Sequence, residues 1–169
     1  MIQGQLEGAV LTAKGRRQIV HAAKSFERGQ FDAIVSSDLR RAVESATIFA
    51  EALDLSVSVD ASLRERSFGD LEGSPSSYAS AELWGIDGNR VLDDQARPTN
   101  GESLHQLLDR VGHFVERIRS TNTGQQLLVV THGGTIRAIR AYCAGTSFKG
   151  AEWYPVANAS TWPIELVFN

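Results

Sequence analysis

The sequence predicts an α/β fold of three layers, a mostly parallel central sheet with helices on both faces. Short apolar runs, FDAIV, SVSV, LLVV and IELVF, alternate with longer stretches whose apolar residues recur at helical spacing. LLVV also runs straight into a histidine, two glycines and a new helical pattern, the sharp strand-to-helix joint such sheets require. With 169 residues, 42% hydrophobic and 22% charged, the chain suits one well-buried core, so residues 1–169 are read as a single domain.

Taken in order, Ile19, Val20, Ala23 and Phe26 predict a first helix over 12–28, stopped by Gly29. FDAIVSS is a strand ending in serines. It leads into a helix over 40–53 marked by Val43, Ala46, Ile48, Phe49 and Leu53. SVSV, at 56–59, is a small strand. Residues 74–100 hold Gly, Pro, Ser and Asp without clear periodicity, apart from a short helix around 79–84, and are read as an excursion over the site. Leu104, Leu107, Leu108, Val111, Phe114, Val115 and Ile118 then repeat at i, i+3, i+4 and i+7, a strongly amphipathic helix. LLVV is the next buried strand, 135–144 the next helix with Gly145 as its cap, and IELVF the last strand.

Composition narrows the function. The net charge of -3, with Lys and Arg scattered, argues against nucleic acid as a partner. A single cysteine, Cys143, excludes an internal disulfide and a CxxC metal site; it is read as a small buried side chain. No apolar run approaches ~18 residues and no signal pattern opens the chain, so the expectation is a cytoplasmic protein with no membrane partner. His21, His105 and His113 lie in helical stretches without metal-ligand partners and are read as structural; no metal is expected. Trp84, Trp153 and Trp162 receive no functional role.

In parallel sheets ligands bind outside the carboxyl ends of the strands. SSDLRRA leaves FDAIV and THGG leaves LLVV, so Arg40 or Arg41 and His132 are expected to converge there. The helix after Gly133 and Gly134 points its free N–H groups and positive dipole end to the same place, and such ends bind anions. A phosphate-like group is the expected ligand.

SSDLRRAVESA, LRERSFGDLEG, NGESLHQLLDRV and VVTHGGTIRAI, in that order, resemble the successive motifs of the histidine phosphatase superfamily, the phosphoglycerate mutase-like proteins. QGQLEGAVLTAKGRRQ resembles the family's QGxxDxxLTxxGxxQ segment, so the resemblance runs from Gln3 to Asn158 and into the last strand. It implies phosphoryl transfer through a phosphohistidine, a chemistry that asks mainly for positioning and for cations around the phosphoryl oxygens, with no cofactor. Arg41 matches the family's arginine and would grip those oxygens as a bidentate fork, leaving Arg40 as a surface neighbour. His132 matches the second histidine and would donate hydrogen bonds to the phosphoryl group. Glu65 matches the proton donor of the leaving alkoxide, which later activates water. Gln3, Gly4 and Gly133 match the substrate side of the pocket.

One departure bears on activity. Family members carry, just before the QG segment, a strand ending in Arg-His-Gly that supplies the nucleophile and another arginine. This chain has neither, so an N-terminally truncated domain lacking its first central strand is expected, and the 169 residues alone are expected to be inactive. A homodimer with a swapped or rearranged sheet is the alternative arrangement. Three function classes follow: a phosphomonoesterase acting on a small phosphorylated metabolite, a pseudoenzyme that binds such ligands without turnover, and an interaction module with a vestigial pocket. Among enzymes a phosphatase is favoured over a mutase, because the excursion is short and carries only Arg90 and Arg97 as cations.

Overall fold

The computed structural model describes residues 1–76, 86–87, 89–121 and 124–166. In chain order it contains α1 (Ala13–Ala23), β1 (Ala33–Ser36), α2 (Arg40–Leu53), β2 (Val57–Val59), two 3₁₀ turns (Ala61–Leu63 and Gly69–Leu71), β3 (Ile86–Asp87), β4 (Arg90–Val91), α3 (Leu104–Thr121), β5 (Leu127–Val130) and α4 (Gly133–Cys143). The main sheet has the order β2-β1-β5 and all its pairings are parallel, with Ile34 opposite Val57 on one side and Leu128 on the other.

Period-two alternation sorts the strand side chains between two cores. Ile34, Leu128 and Val130 join Ala23, Ala46, Phe49 and Leu53 under α1 and α2. Val35 and Val129 point the other way, into Leu104, Leu107, Val111, Phe114, Val115 and Ile139 of α3 and α4. The three-layer, mostly parallel arrangement read from the sequence is thus the one observed. Local chemistry sets the helix ends. The Thr12 hydroxyl accepts the Gly15 N–H at the start of α1. Ser103 and Gln106 exchange side-chain and backbone bonds in a reciprocal capping box before α3.

Several expectations are corrected. The first helix stops at Ala23 rather than running to Arg28, because Phe26 leaves the helical path to stack edge-on against Phe31, with ring centroids 5.2 Å apart, and beside Phe49. The excursion holds an antiparallel ribbon, β3 with β4, that its composition did not announce; the short helix expected at 79–84, with Trp84, lies outside the described residues. Ile164 and Leu166 pack against the α3–α4 core without strand pairing, so the described part of IELVF is not a strand. Cys143 is half-buried rather than buried, since it lies at the last turn of α4. His21, His105 and His113 sit on exposed helix faces.

LLVV also differs from a fully buried strand: all four residues of β5 are half-buried. Among the described residues no strand pairs with the edge of β5 that faces away from β1. A cavity of about 1720 Å³ runs along that edge. Ile19 and Phe49 line it from one face of the sheet, Leu107, Phe114 and Ile139 from the other, and Ile164 from the C-terminal segment. No helix among the described residues is long and apolar enough to cross a membrane.

Candidate active site

The carboxyl ends of β1 and β5 open into one end of this cavity, where Gln3, Gly4, Arg41, Glu65, His132 and Gly133 all contribute to the lining. Contacts bring Arg41 to the Gly4 carbonyl and Glu65 to the helix start that His132 and Gly133 open. His132 is the N-cap of α4 in extended backbone, and its Nε2 lies 2.9 Å from the Ser37 hydroxyl, which leaves β1. Sequence reading passed over Ser37, although it stands in the SSDL lead-in. Burial, followed by the nearby Arg41 and Arg110, pulls the His132 pKa down to about 3, against a weaker opposing pull from Asp38, so the ring is neutral at physiological pH.

Arg41 leaves the first turn of α2, and its Nη2 donates to the Gly4 carbonyl at 2.6 Å. Its Nη1 is buried and has no hydrogen-bond partner among the described residues. Burial lowers the Arg41 pKa from its ordinary value, while Glu65 and Glu72 pull it back up. Arg40, by contrast, is exposed and pairs with Glu44 at 3.1 Å, as expected of a surface neighbour. Gly4 is buried and serves Arg41 through its carbonyl. Gln3 is exposed at the rim, and it is Gln5 that reaches inward, donating to the Glu65 carbonyl at 2.9 Å.

Glu65 corrects the expectation for the helix end. Its Oε2 accepts the Gly134 N–H at 3.0 Å and its Oε1 accepts the Arg66 N–H at 2.8 Å, so the carboxylate itself occupies the first turn of α4. Glycine is required at 134 for this approach. A Cβ there would stand 2.2 Å from Glu65 Oε1. Neither neighbouring arginine pairs with Glu65: Arg64 forks onto Asp38 at 2.8 and 2.6 Å, and Arg66 donates to the carbonyls of Glu102 and Ala96.

The segment carrying Glu65 is anchored on every side. Thr131 and Thr135 hydroxyls donate to the carbonyls of Leu63 and Arg64, tying it to the joint between β5 and α4. Arg110 reaches from α3 to the carbonyls of Ser62 and Arg64 and to both Glu102 carboxylate oxygens, at 2.7 to 3.0 Å. Just downstream, Gly69 adopts φ +50° beneath the 99–101 backbone, where a Cβ would stand 2.1 Å from the Thr99 carbonyl. Arg110, Ser37 and Arg137, which lines the cavity and donates to the Tyr154 carbonyl, are residues that sequence reading missed, because each acts through a contact distant in the chain.

A half-buried arginine, a neutral histidine and a firmly held carboxylate at the ends of parallel strands form an arrangement suited to a phosphoryl group and its leaving oxygen. The family described as "Histidine phosphatase superfamily (branch 1)" matches residues 1–167. The chain belongs to the histidine phosphatase superfamily. It is 38% identical over 144 residues to phosphoglycerate mutase-like protein 4 of Arabidopsis thaliana, a match covering 82% of this chain and 61% of that one. It is 33% identical to the glucosyl-3-phosphoglycerate phosphatase of Mycolicibacterium vanbaalenii, covering 96% of this chain and 70% of the relative. The solved mycobacterial glucosyl-3-phosphoglycerate phosphatase in complex with inorganic phosphate is 31% identical, with a TM-score of 0.74, over 87% of this chain and 74% of that one. This superfamily member thus spans about three fifths of the Arabidopsis relative and leaves part of each relative's length unmatched.

Proposed function

We propose that this chain carries the substrate site of a phosphomonoester hydrolase that acts on small phosphorylated metabolites through a phosphohistidine, the nucleophilic histidine lying on a segment outside these 169 residues. The observation that carries the reading is the buried Nη1 of Arg41, unpartnered among the described residues, in the cavity that His132 and Glu65 also line. Buried donors are rarely left without an acceptor, and a cationic one suits a phosphoryl oxygen best. Neutral His132 would donate a further hydrogen bond. Glu65, held beside it by two backbone N–H groups, would pass a proton to the leaving alkoxide and take one from the water that follows. None of the other three histidines lines this cavity, so the covalent step needs one from elsewhere. The slot along the edge of β5 that no described strand pairs suits a further strand, apolar on both faces and opening toward His132.

Hydrolysis is favoured over mutase-type transfer, because neither Arg90 nor Arg97 of the excursion lines the cavity. The glucosyl-3-phosphoglycerate phosphatase relatives make a phosphorylated glycerate derivative a reasonable substrate type. The 169-residue chain is expected to hydrolyse p-nitrophenyl phosphate no faster than its His132→Ala variant. Phosphate or vanadate at millimolar concentration should nevertheless raise its melting temperature, and Arg41→Ala should remove that response. Turnover well above the His132→Ala control would place the nucleophile within these residues. An oxyanion response indifferent to Arg41→Ala and His132→Ala would remove the phosphoryl site.

A further inference from the structure

The His132 ring has two nitrogens that face different surroundings. Nε2 lies 2.9 Å from the Ser37 Oγ. Nδ1 has no hydrogen-bond partner among the described residues and is not sealed off, so it opens on the cavity that His132 lines. A neutral imidazole carries a single N–H. Placed on Nδ1, that proton offers the cavity a donor; placed on Nε2, it leaves the cavity a lone pair, which repels an oxyanion.

What stands behind Nε2 therefore decides what His132 can hold. Ser37 is fully buried just past the end of β1, and its N–H extends the parallel ladder by donating to the Val130 carbonyl at 2.9 Å. Its Oγ accepts the Leu39 N–H at 3.3 Å. With that bond made, the hydroxyl proton has one acceptor among the described residues, His132 Nε2. If Nε2 carried the ring proton instead, Oγ would accept twice and its own proton would be left without a partner in the core. An unsatisfied buried donor costs enough to favour the other tautomer by about tenfold. Leu39 is also the N-cap of α2, whose first turn carries Arg41, so one hydroxyl touches the supports of both Arg41 and His132.

We propose that Ser37 is a positioning residue that sets the tautomer of His132: its hydroxyl donates to Nε2, keeps the ring proton on Nδ1, and so turns a donor toward the phosphoryl oxygens. The role assigned to that donor rests on the phosphomonoester reading above; the tautomer itself does not. Nitrogen-15 NMR of the imidazole rings at about pH 8, above the ordinary histidine pKa, reads it directly. The His132 signals are identified by their loss in His132→Asn, and the exposed His21 and His113 serve as references.

In the unmodified chain Nδ1 of His132 should carry the proton and Nε2 should not. Inorganic phosphate at millimolar concentration should then shift Nδ1 more than Nε2. Ser37→Ala should move the proton mainly to Nε2 and weaken phosphate binding about tenfold, the scale of one charge-assisted hydrogen bond. Ser37→Thr, which keeps the hydroxyl, should keep the Nδ1 proton and most of the affinity. A residue that merely fills space would leave the tautomer where it was. Because Ser37 is buried and Ser37→Ala also frees the Leu39 N–H, the unmodified chain decides first: a proton on Nε2 there overturns the assignment. A folded Ser37→Ala that keeps the proton on Nδ1 overturns it as well, since something other than the hydroxyl then holds it. A proton on Nδ1 with both ring nitrogens indifferent to phosphate upholds the role of Ser37 and overturns the phosphoryl site instead.

Discussion

Replacing Gly134 with alanine tests how Glu65 is held. The new Cβ would stand 2.2 Å from Glu65 Oε1 and 3.1 Å from its Cδ. A carboxylate at the end of a flexible side chain yields more readily than a helix does, so it would swing into the cavity and lose its bonds to the Gly134 and Arg66 N–H groups. A hydrogen bond to a charged partner contributes ~1.5–3 kcal/mol, and water in the cavity compensates part of the loss, so the cost is taken as one bond rather than two. Alanine, a better helix former than glycine, returns ~1 kcal/mol. The net expectation is a loss of about 0.5–2 kcal/mol in the unfolding free energy measured by urea titration. Glu65→Ala alone should also destabilise, by ~1–3 kcal/mol, because it orphans the Gly134 N–H. In that background there is no carboxylate to displace, so adding Gly134→Ala should stabilise by ~1 kcal/mol. The sign of one substitution therefore depends on its neighbour, a coupling that independent sites do not show. Equal destabilisation in both backgrounds would refute the placement of Glu65 on α4.

Two further outcomes follow from the same geometry. The His132 pKa of about 3 in the folded chain lies below its ordinary value of 6.5, so the unfolded chain binds the extra proton and stability falls as pH drops from about 6.5 toward 3. Allowing for water on the cavity side of the ring, about 1 kcal/mol should be lost between pH 6.5 and 5 and should disappear in His132→Asn; identical urea-unfolding profiles for the two across that interval would contradict it. Arg110→Ala should cost about 3 kcal/mol by the same assay, because it leaves the largely buried Glu102 carboxylate unpaired, and a loss below ~1 kcal/mol would reduce the pair to a surface contact.

The restored activity of Glu65→Gln would be read from leaving-group dependence once a nucleophile is supplied. Its loss should be far greater on alkyl phosphates than on p-nitrophenyl phosphate, whose leaving group hardly needs a proton; a general acid contributes ~10²- to 10⁴-fold. Equal losses on both esters would remove Glu65 from that role.

What the amino-acid sequence determined by itself was local and periodic. Apolar spacing in 104–118 suffices to place α3, because a helix must bury one stripe, and the short apolar runs FDAIV and LLVV suffice to place two strands of a buried sheet. Parallel strands separated by helices bring their carboxyl ends together, so the meeting of His132 with Arg40 or Arg41 was legible before any coordinates, and the family resemblance pointed to Arg41. Tertiary structure decided the rest, because it depends on pairs far apart in the chain. Which anion occupies the start of α4 turned on a loop nearly seventy positions upstream, whose carboxylate reaches Gly134 only when Thr131, Thr135 and Arg110 hold it there. Whether LLVV would be buried on both sides turned on which strands flank β5, and a strand's own residues do not encode its neighbours. Arg137 looks like any helix charge until Trp153 and Tyr154 close over it. Periodicity reports the face a residue shows to its own element, whereas a site is made where several elements meet.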